Sequence, residues 1–289
     1  MSSWKDDTII YIPTYNRVDV QTTLERIPKS SGVDKGKVVL VATKKEAKKL
    51  ERKWEVPVLV QPDEVTNIAQ KRAWIIEQCH HERMIMLDDD LRFCYRPDFA
   101  VPKLITVDPK HEGANRAWLN FERSLEHFAH ASVGARMGAQ AKTFRWSFNS
   151  RCMYVLGYQT KIVQKCKLGS ITTREDMDYT LQLLRMGYRN LVSYRLLVDQ
   201  QYAKAGGMTE ERTIERSNKD AEKLARRYPG IVQVQEKAYK ASIPRKEVRV
   251  AWRKAFDPKV SSKRETEVMR ALLVKWSMDT PRNLKELGC

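Results

Sequence analysis

The chain has 289 residues, 53 Lys and Arg against 36 Asp and Glu, a net charge of +17 and a pI near 9.7. With 42% hydrophobic and 31% charged residues it reads as a folded soluble protein, either one large α/β domain or a catalytic domain with an appendage, and not as a disordered chain. No apolar run reaches membrane-spanning length, MSSWKDD lacks a signal-peptide pattern, and five cysteines without a CxxC pair argue against a disulfide framework or a zinc site.

In chain order, Thr8 to Ile12 (TIIYI) is predicted as a strand ended by Pro13, and PTYNR as the turn after it. A short helix over Val18 to Arg26 follows, then a strand over Lys37 to Ala42 and a helix over Lys44 to Lys53. Val56 to Val60 is a third strand, followed by the loop QPDEVTN and a helix over Ile68 to Cys79. RMIML is the fourth strand. Short apolar strands alternating with helices predict a mainly parallel sheet with helices on both faces, whose ligands sit at the carboxyl ends of the strands. PTYNR, QPDEVTN and the triplet Asp88, Asp89, Asp90 all fall on that edge.

Residues 97 to 114 read as loop, and a helix over Ala117 to Ala131 places Trp118, Phe121, Leu125 and Phe128 on one face. In this reading His127 and His130 share a helix face as ordinary residues. FRWSFNSRCMYVLGY is aromatic and partly extended, EDMDYTLQLLRMGY is a helix closed by Gly187, and Asn190 to Val198 is a strand. A mostly helical stretch then runs to Pro229, and Glu265 to Trp276 is the last helix expected. There is no internal repeat and no coiled-coil pattern.

Three adjacent aspartates behind a strand repel one another, so a cation is expected to compensate them. On an extended segment Asp88 and Asp90 point one way and Asp89 the other, and two carboxylates suit a hard divalent cation whose remaining ligands are phosphate oxygens. A DxD alone is a weak signal, and a solvated acidic turn explains it too. Glu175, Asp176 and Asp178 open a helix, where they suit the dipole, or where one accepts a proton from an attacking hydroxyl. Lys71, Arg72 and Arg17 lie near the ligand edge and are candidates for diphosphate contact or part of the general basic excess. Neither GxGxxG nor a P-loop is present.

IPTYNR after the first strand, a helix carrying Lys71 and Arg72, MLDDD, and REDMDYTLQLLRMGY together resemble the inverting glycosyltransferases of GT-A (Rossmann-like) fold, over roughly residues 8 to 200. The resemblance implies a UDP-sugar donor, its uridine end near Pro13, Thr14, Tyr15, Arg17 and Thr43, with Lys71, Arg72 and Asp89 also at the donor site. It implies Mn²⁺ or Mg²⁺ on Asp88 and Asp90, and Asp176 as the general base with Glu175 beside it. Two features depart from the family. The second strand ends on Ala42 and Thr43 without an Asp, and DQQYAKAGG lacks the late metal-binding His, leaving Asp199, Gln200 or Gln201 as weak substitutes.

The basic charge and FRWSFNSR make the chain similar, more narrowly, to bacteriophage DNA glycosyltransferases associated with TET-like base hydroxylases. The resemblance implies double-stranded DNA containing modified cytosine as acceptor, the base flipped into the pocket. Phe144, Trp146 and Phe148 are then candidates for stacking or for core packing, and Arg145, Arg151, Lys246, Arg249, Arg253 and Lys254 for phosphate contacts. The expected layout is a catalytic domain over 1–205, with an insertion around 97–140, and a helical, basic extension over 206–289. No membrane or obligate protein partner is expected, and the setting is cytoplasmic, that of an infected bacterial host if the chain is phage-encoded. The alternatives are a polysaccharide, lipid or protein acceptor, a nucleotidyltransferase, and a non-catalytic DNA-binding protein.

Overall fold

The computed structural model describes residues 8–28, 35–139, 142, 144–200, 213–237 and 244–260. Strand β1 (Thr8–Pro13) lies between β2 (Val38–Ala42) and β4 (Arg83–Leu87), parallel to both, and β3 (Val58–Val60) extends the parallel half beyond β2. Helices α1 (Thr22–Arg26), α2 (Lys44–Trp54) and α3 (Ile68–Gln78) follow β1, β2 and β3. All six residues of β1 are buried, as expected for a central strand covered on both faces. A capping box starts α3: the Asn67 side chain accepts from Gln70 N at 3.0 Å, and Gln70 Oε1 accepts from Asn67 N at 3.4 Å. That cap sets where Lys71 and Arg72 enter the molecule.

Beyond β4 the sheet is mixed, which corrects the mainly parallel sheet expected. β5 (Leu91–Tyr95), β6 (Ile105–Thr106), β7 (His130–Ala135), β8 (Trp146–Phe148), β9 (Val155–Gln159) and β10 (Asn190–Gln200) join it in the order β3-β2-β1-β4-β9-β7-β10-β5-β6, with β8 also paired to β10. β9 is antiparallel to both β4 and β7, and β5 is antiparallel to β10. Val155 faces Leu87, so the chain enters β9 at the carboxyl edge of β4 and runs backwards along it. Hydrophobic periodicity identifies strands but carries no sign of their direction, which the connections set.

The helix expected from Ala117 is α4 (Glu112–Ser124), and His130 belongs to β7, not to a helix face shared with His127. Trp118, Phe121, Leu125 and Phe128 are buried as the pattern predicted, and Trp118 meets Phe93 edge-on at 5.9 Å. The short α5 (Thr160–Val163) and α6 (Glu175–Arg185) cover the opposite side of the sheet, where Val163, Tyr179 and Leu183 pack with Met84 and Met86.

The C-terminal part is not wholly helical. After α7 (Ile214–Arg227) comes an antiparallel hairpin of β11 (Val232–Lys237) and β12 (Arg245–Val250), then α8 (Trp252–Ala255). Leu224, Tyr228, Val232 and Phe256 bury against Ile171, Leu181 and Leu184, so these elements share a core with α6. The expected helix Glu265 to Trp276 and the weak ligand candidate Gln201 lie outside the described residues. Among the described residues no helix is long and apolar enough to cross a membrane, and the four described cysteines are buried and free.

His130 is fully buried, with Nδ1 2.9 Å from the Gly157 carbonyl, Nε2 3.1 Å from Thr180 Oγ1, and its ring stacked on Tyr158 at 4.4 Å. Burial pulls its pKa down to about 4, against opposing pulls from the Gly157 hydrogen bond and Asp176. The unfolded chain takes up a proton near pH 6.5 and the folded one only near 4, so His130 lowers stability as pH falls through that window, by on the order of 3 to 4 kcal/mol in full. Urea unfolding at pH 7 and pH 4.5 is expected to show a smaller acid loss in His130→Gln than in the wild-type chain.

Candidate active site

At the carboxyl edge, the loop after β1 is held from below. Thr14 N donates to Val41 O at 2.9 Å, and buried Lys71 places Nζ 2.8 Å from Thr14 O and 3.5 Å from Val41 O. Burial lowers the pKa of Lys71 to about 8, against the pull of Glu46 and Asp89. Lys71 thus props the loop from below. Asn16 has φ 53°, a left-handed conformation that Asn tolerates better than most residues, and its N–H donates to Glu46 Oε1 at 2.7 Å. Thr43 donates its hydroxyl to Glu46 Oε2 at 2.7 Å, so Glu46 ties the loop after β1 to the start of α2. Pro13 and Thr14 are buried, while Tyr15 and Arg17 are half-buried at the rim.

The aspartate triplet lies in a turn between β4 and β5, so strict alternation does not hold. Asp89 is buried and accepts from Thr14 Oγ1 at 2.8 Å and from Arg17 Nη1. The same Arg17 nitrogen lies 3.2 Å from Asp90 Oδ2, so Asp89 and Asp90 share one guanidinium. Burial opposes the charge on Arg17, but Asp89 and Asp90 outweigh it and raise its pKa. Gln200 Nε2 reaches Asp90 Oδ2 at 3.4 Å, whereas Asp199 turns to Arg136 at 2.9 Å. Thr23 clamps the turn, donating to the Asp88 carbonyl and accepting from Leu91 N at 2.9 Å.

Asp88 pairs with Arg72, whose other arm donates to Glu175 Oε1 at 2.6 Å. Successive helix positions are about 100° apart, so Asp176 leaves α6 on a different side from Glu175 and nearly opposite Asp178. Glu175 goes inward to Arg72. Asp178, fully buried, takes both 2.8 and 2.7 Å bonds from Arg227 Nη1 and a 2.9 Å bond from Tyr228 Oη. Asp176 stays at the edge, 15% exposed, with Oδ2 3.5 Å from Arg151 Nη2. The bridge to Arg72 brings the start of α6 against the aspartate turn, and Asp176 acts on Arg72 electrostatically along with Asp88 and Glu175.

The aromatic and basic candidates separate. Phe148 is buried in the main core and stacks on Phe128 at 5.9 Å, the core-packing alternative of the two expected for it, and Trp146 leans on the same core. Phe144 meets Tyr194 at 5.5 Å with Lys142 over its ring at 5.3 Å, and Arg145 lies 5.8 Å from the Phe99 ring. Lys246 is engaged by Glu222 and lies 3.7 Å from Glu236, so its ammonium already has carboxylate partners. Arg249, Arg253 and Lys254 are exposed on the C-terminal elements. Sequence reading missed Thr23, Glu46, Asp220 and Arg227, each of which has a partner 30 or more residues away along the chain.

A divalent cation fits this donor set. Four carboxylates, Asp88, Asp89, Asp90 and Glu175, meet two guanidiniums, Arg17 and Arg72, leaving two negative charges over. Asp90 Oδ1 is buried with no hydrogen-bond partner among the described residues. No group of three or more His, Cys, Asp or Glu side chains is arranged to enclose a metal among those residues, so phosphate and water oxygens would complete the shell.

A family profile described as TET-Associated Glycosyltransferase matches residues 8–208, from β1 past the end of β10. The chain belongs to that family. No curated protein matches its sequence. Among solved structures, S. aureus TarS in complex with UDP-GlcNAc is 12% identical at a TM-score of 0.46, covering 76% of this chain and 66% of that one. Glucosyl-3-phosphoglycerate synthase from Mycobacterium tuberculosis, in complex with Mn²⁺, UDP and phosphoglyceric acid, is 9% identical at a TM-score of 0.46, covering 84% and 86%.

In this glycosyltransferase Arg72 is 7% exposed at its side chain and Glu175 3%, so removing the guanidinium takes a charge partner away from a buried carboxylate. Arg72→Met is expected to lower the unfolding free energy in urea by about 3–5 kcal/mol.

Proposed function

We propose that this glycosyltransferase moves a sugar from a UDP-sugar to the hydroxymethyl group of 5-hydroxymethylcytosine in phage DNA, with inversion at the anomeric carbon. The observation that carries the proposal is Asp176, an accessible carboxylate on α6 beside the aspartate turn, within a chain whose family is that of TET-associated glycosyltransferases. The net charge of +17 suits a polyanionic acceptor. Residues 1–205 would carry the transfer, in the cytoplasm of an infected host, with α7 and the β11–β12 hairpin packed on α6.

The uridine would lie along Pro13, Thr14, Tyr15 and Thr43, with Arg17 at the rim. Asp88 and Asp90 would hold Mn²⁺ or Mg²⁺, which neutralises charge on the departing diphosphate. Asp176 accepts the proton of the acceptor hydroxymethyl oxygen as that oxygen bonds to the anomeric carbon. The bond from that carbon to the diphosphate breaks with its electron pair, and UDP leaves. Glu175 and Arg72 orient the start of α6, so Asp176 is held near the aspartate turn without their touching the acceptor.

Incubation of the protein with UDP-sugars, Mn²⁺ and hydroxymethylated duplex DNA, then mass spectrometry of the digested nucleosides, is expected to find a glycosylated 5-hydroxymethyl-2′-deoxycytidine. Transfer to a glycan with the DNA unchanged would overturn the acceptor. Asp176→Asn is expected to lose transfer by at least a hundredfold, the lower range for a general base, while keeping UDP binding. Asp88→Ala and Asp90→Ala are expected to lose the metal-dependent part of UDP binding in calorimetry.

A further inference from the structure

A cavity of about 370 Å³ opens beside Asp176 where four pieces of the chain meet. The segment before α6 contributes Thr173 and Arg174, the start of α7 contributes Thr213 and Ser217, and β12 contributes Arg245. Arg151 lines it too, in contact with Asp176. Its lining holds three arginines and one carboxylate, Glu247. The N-caps of α6 and α7, Arg174 and Thr213, both lie in the wall, so the positive ends of two helices of 11 and 14 residues face the same space.

Positive charge is built into the cavity. Arg174 is fixed by carbonyls, donating to Ser217 O at 2.6 Å and to Lys246 O at 3.0 Å. Burial and then the neighbouring Arg245 lower its pKa, with Asp220, Glu247 and Asp176 opposing. Asp220 offsets part of that charge, and its Oδ2 also accepts from the N–H and hydroxyl groups of Thr172 and Thr173 at 2.7 to 3.1 Å. Like charges gathered in a concave site repel, and an anion relieves that repulsion. The volume lies at the small end of ligand sites, roughly 300–1,000 Å³, which suits a nucleotide-sized group better than an extended oligosaccharide.

We propose that this cavity is the subsite for a backbone phosphate of the acceptor DNA, next to the reacting base, with Arg245, Arg151 and Arg174 as its cationic wall. The inference rests on the DNA reading above and adds to it that α7 and the β11–β12 hairpin, which lie beyond the family match at residue 208, form part of the acceptor site.

The test compares Arg245→Ala and Arg151→Ala with Lys259→Ala, an exposed charge loss outside the cavity lining, in transfer to a hydroxymethylcytosine duplex and in DNA binding across a salt series. Arg245 is exposed on β12, so its loss should leave the melting temperature and UDP binding at wild-type values. Its KM for DNA is expected to rise about five- to tenfold, and the slope of log K against log salt to shrink by about one. Arg151→Ala should raise KM in the same way and also lower kcat, because Arg151 touches Asp176, while Lys259→Ala should match the wild type. Wild-type KM and salt slope in Arg245→Ala, with the wild-type enzyme modifying DNA, would overturn the phosphate subsite and leave the DNA reading standing. Weakened UDP binding in Arg245→Ala would overturn it in favour of the donor diphosphate. If the wild-type enzyme modifies a glycan and no DNA, the DNA reading fails and this subsite fails with it.

Discussion

The guanidinium of Arg72, buried between Asp88 and Glu175, joins the end of β4 to the start of α6. A charge so deep in the protein is stabilised by a carboxylate on either side, one the partly exposed Asp88 and one the buried Glu175. Its position follows from the capping box at Asn67, which sets the first turn of α3. Once α6 is pinned there, the divergence of its first residues decides the rest. Asp176 stays at the edge, and Asp178 turns the other way to take Arg227 and Tyr228 from the C-terminal elements.

The same logic separates the charges of the whole molecule. A strongly basic chain concentrates carboxylates at one strand edge, with Arg17 and Arg72 covering only part of their charge. The remaining negative charge suits a cation there, while Arg151, Arg174 and Arg245 gather beside Asp176 around a second, oppositely charged site. In the proposed reaction, which joins a metal-bound diphosphate donor to a polyanion, such a division keeps the two anionic partners from repelling each other across the reacting atoms.

Much of the parallel half was legible because its signals are local. RMIML is buried at the bounds its composition predicted apart from Arg83 at its start, and the face of Trp118, Phe121, Leu125 and Phe128 is a core face as its spacing required. His130 was misassigned to a helix because Leu125 and Phe128 continue the helical spacing past Ser124, where the helix ends. Phe148 looked available for stacking since alternation shows which residues share a face, not which face the core occupies. Lys71 looked like a donor contact for the same reason: position on α3 places it near the edge, but only packing shows its ammonium aimed under the loop at Thr14.

The sequence by itself determined the strand–helix alternation, the edge on which PTYNR and the aspartates fall, the excess positive charge, and the motif set that resembles a glycosyltransferase family. These depend on residue type and on spacing within a few turns or strand repeats. Tertiary structure decided strand direction beyond β4, the partner of each carboxylate, and the meeting of Arg151, Arg174 and Arg245 around one cavity. Those outcomes join residues such as Arg72 and Glu175, 103 positions apart, and no local pattern encodes which distant charge a buried group will find.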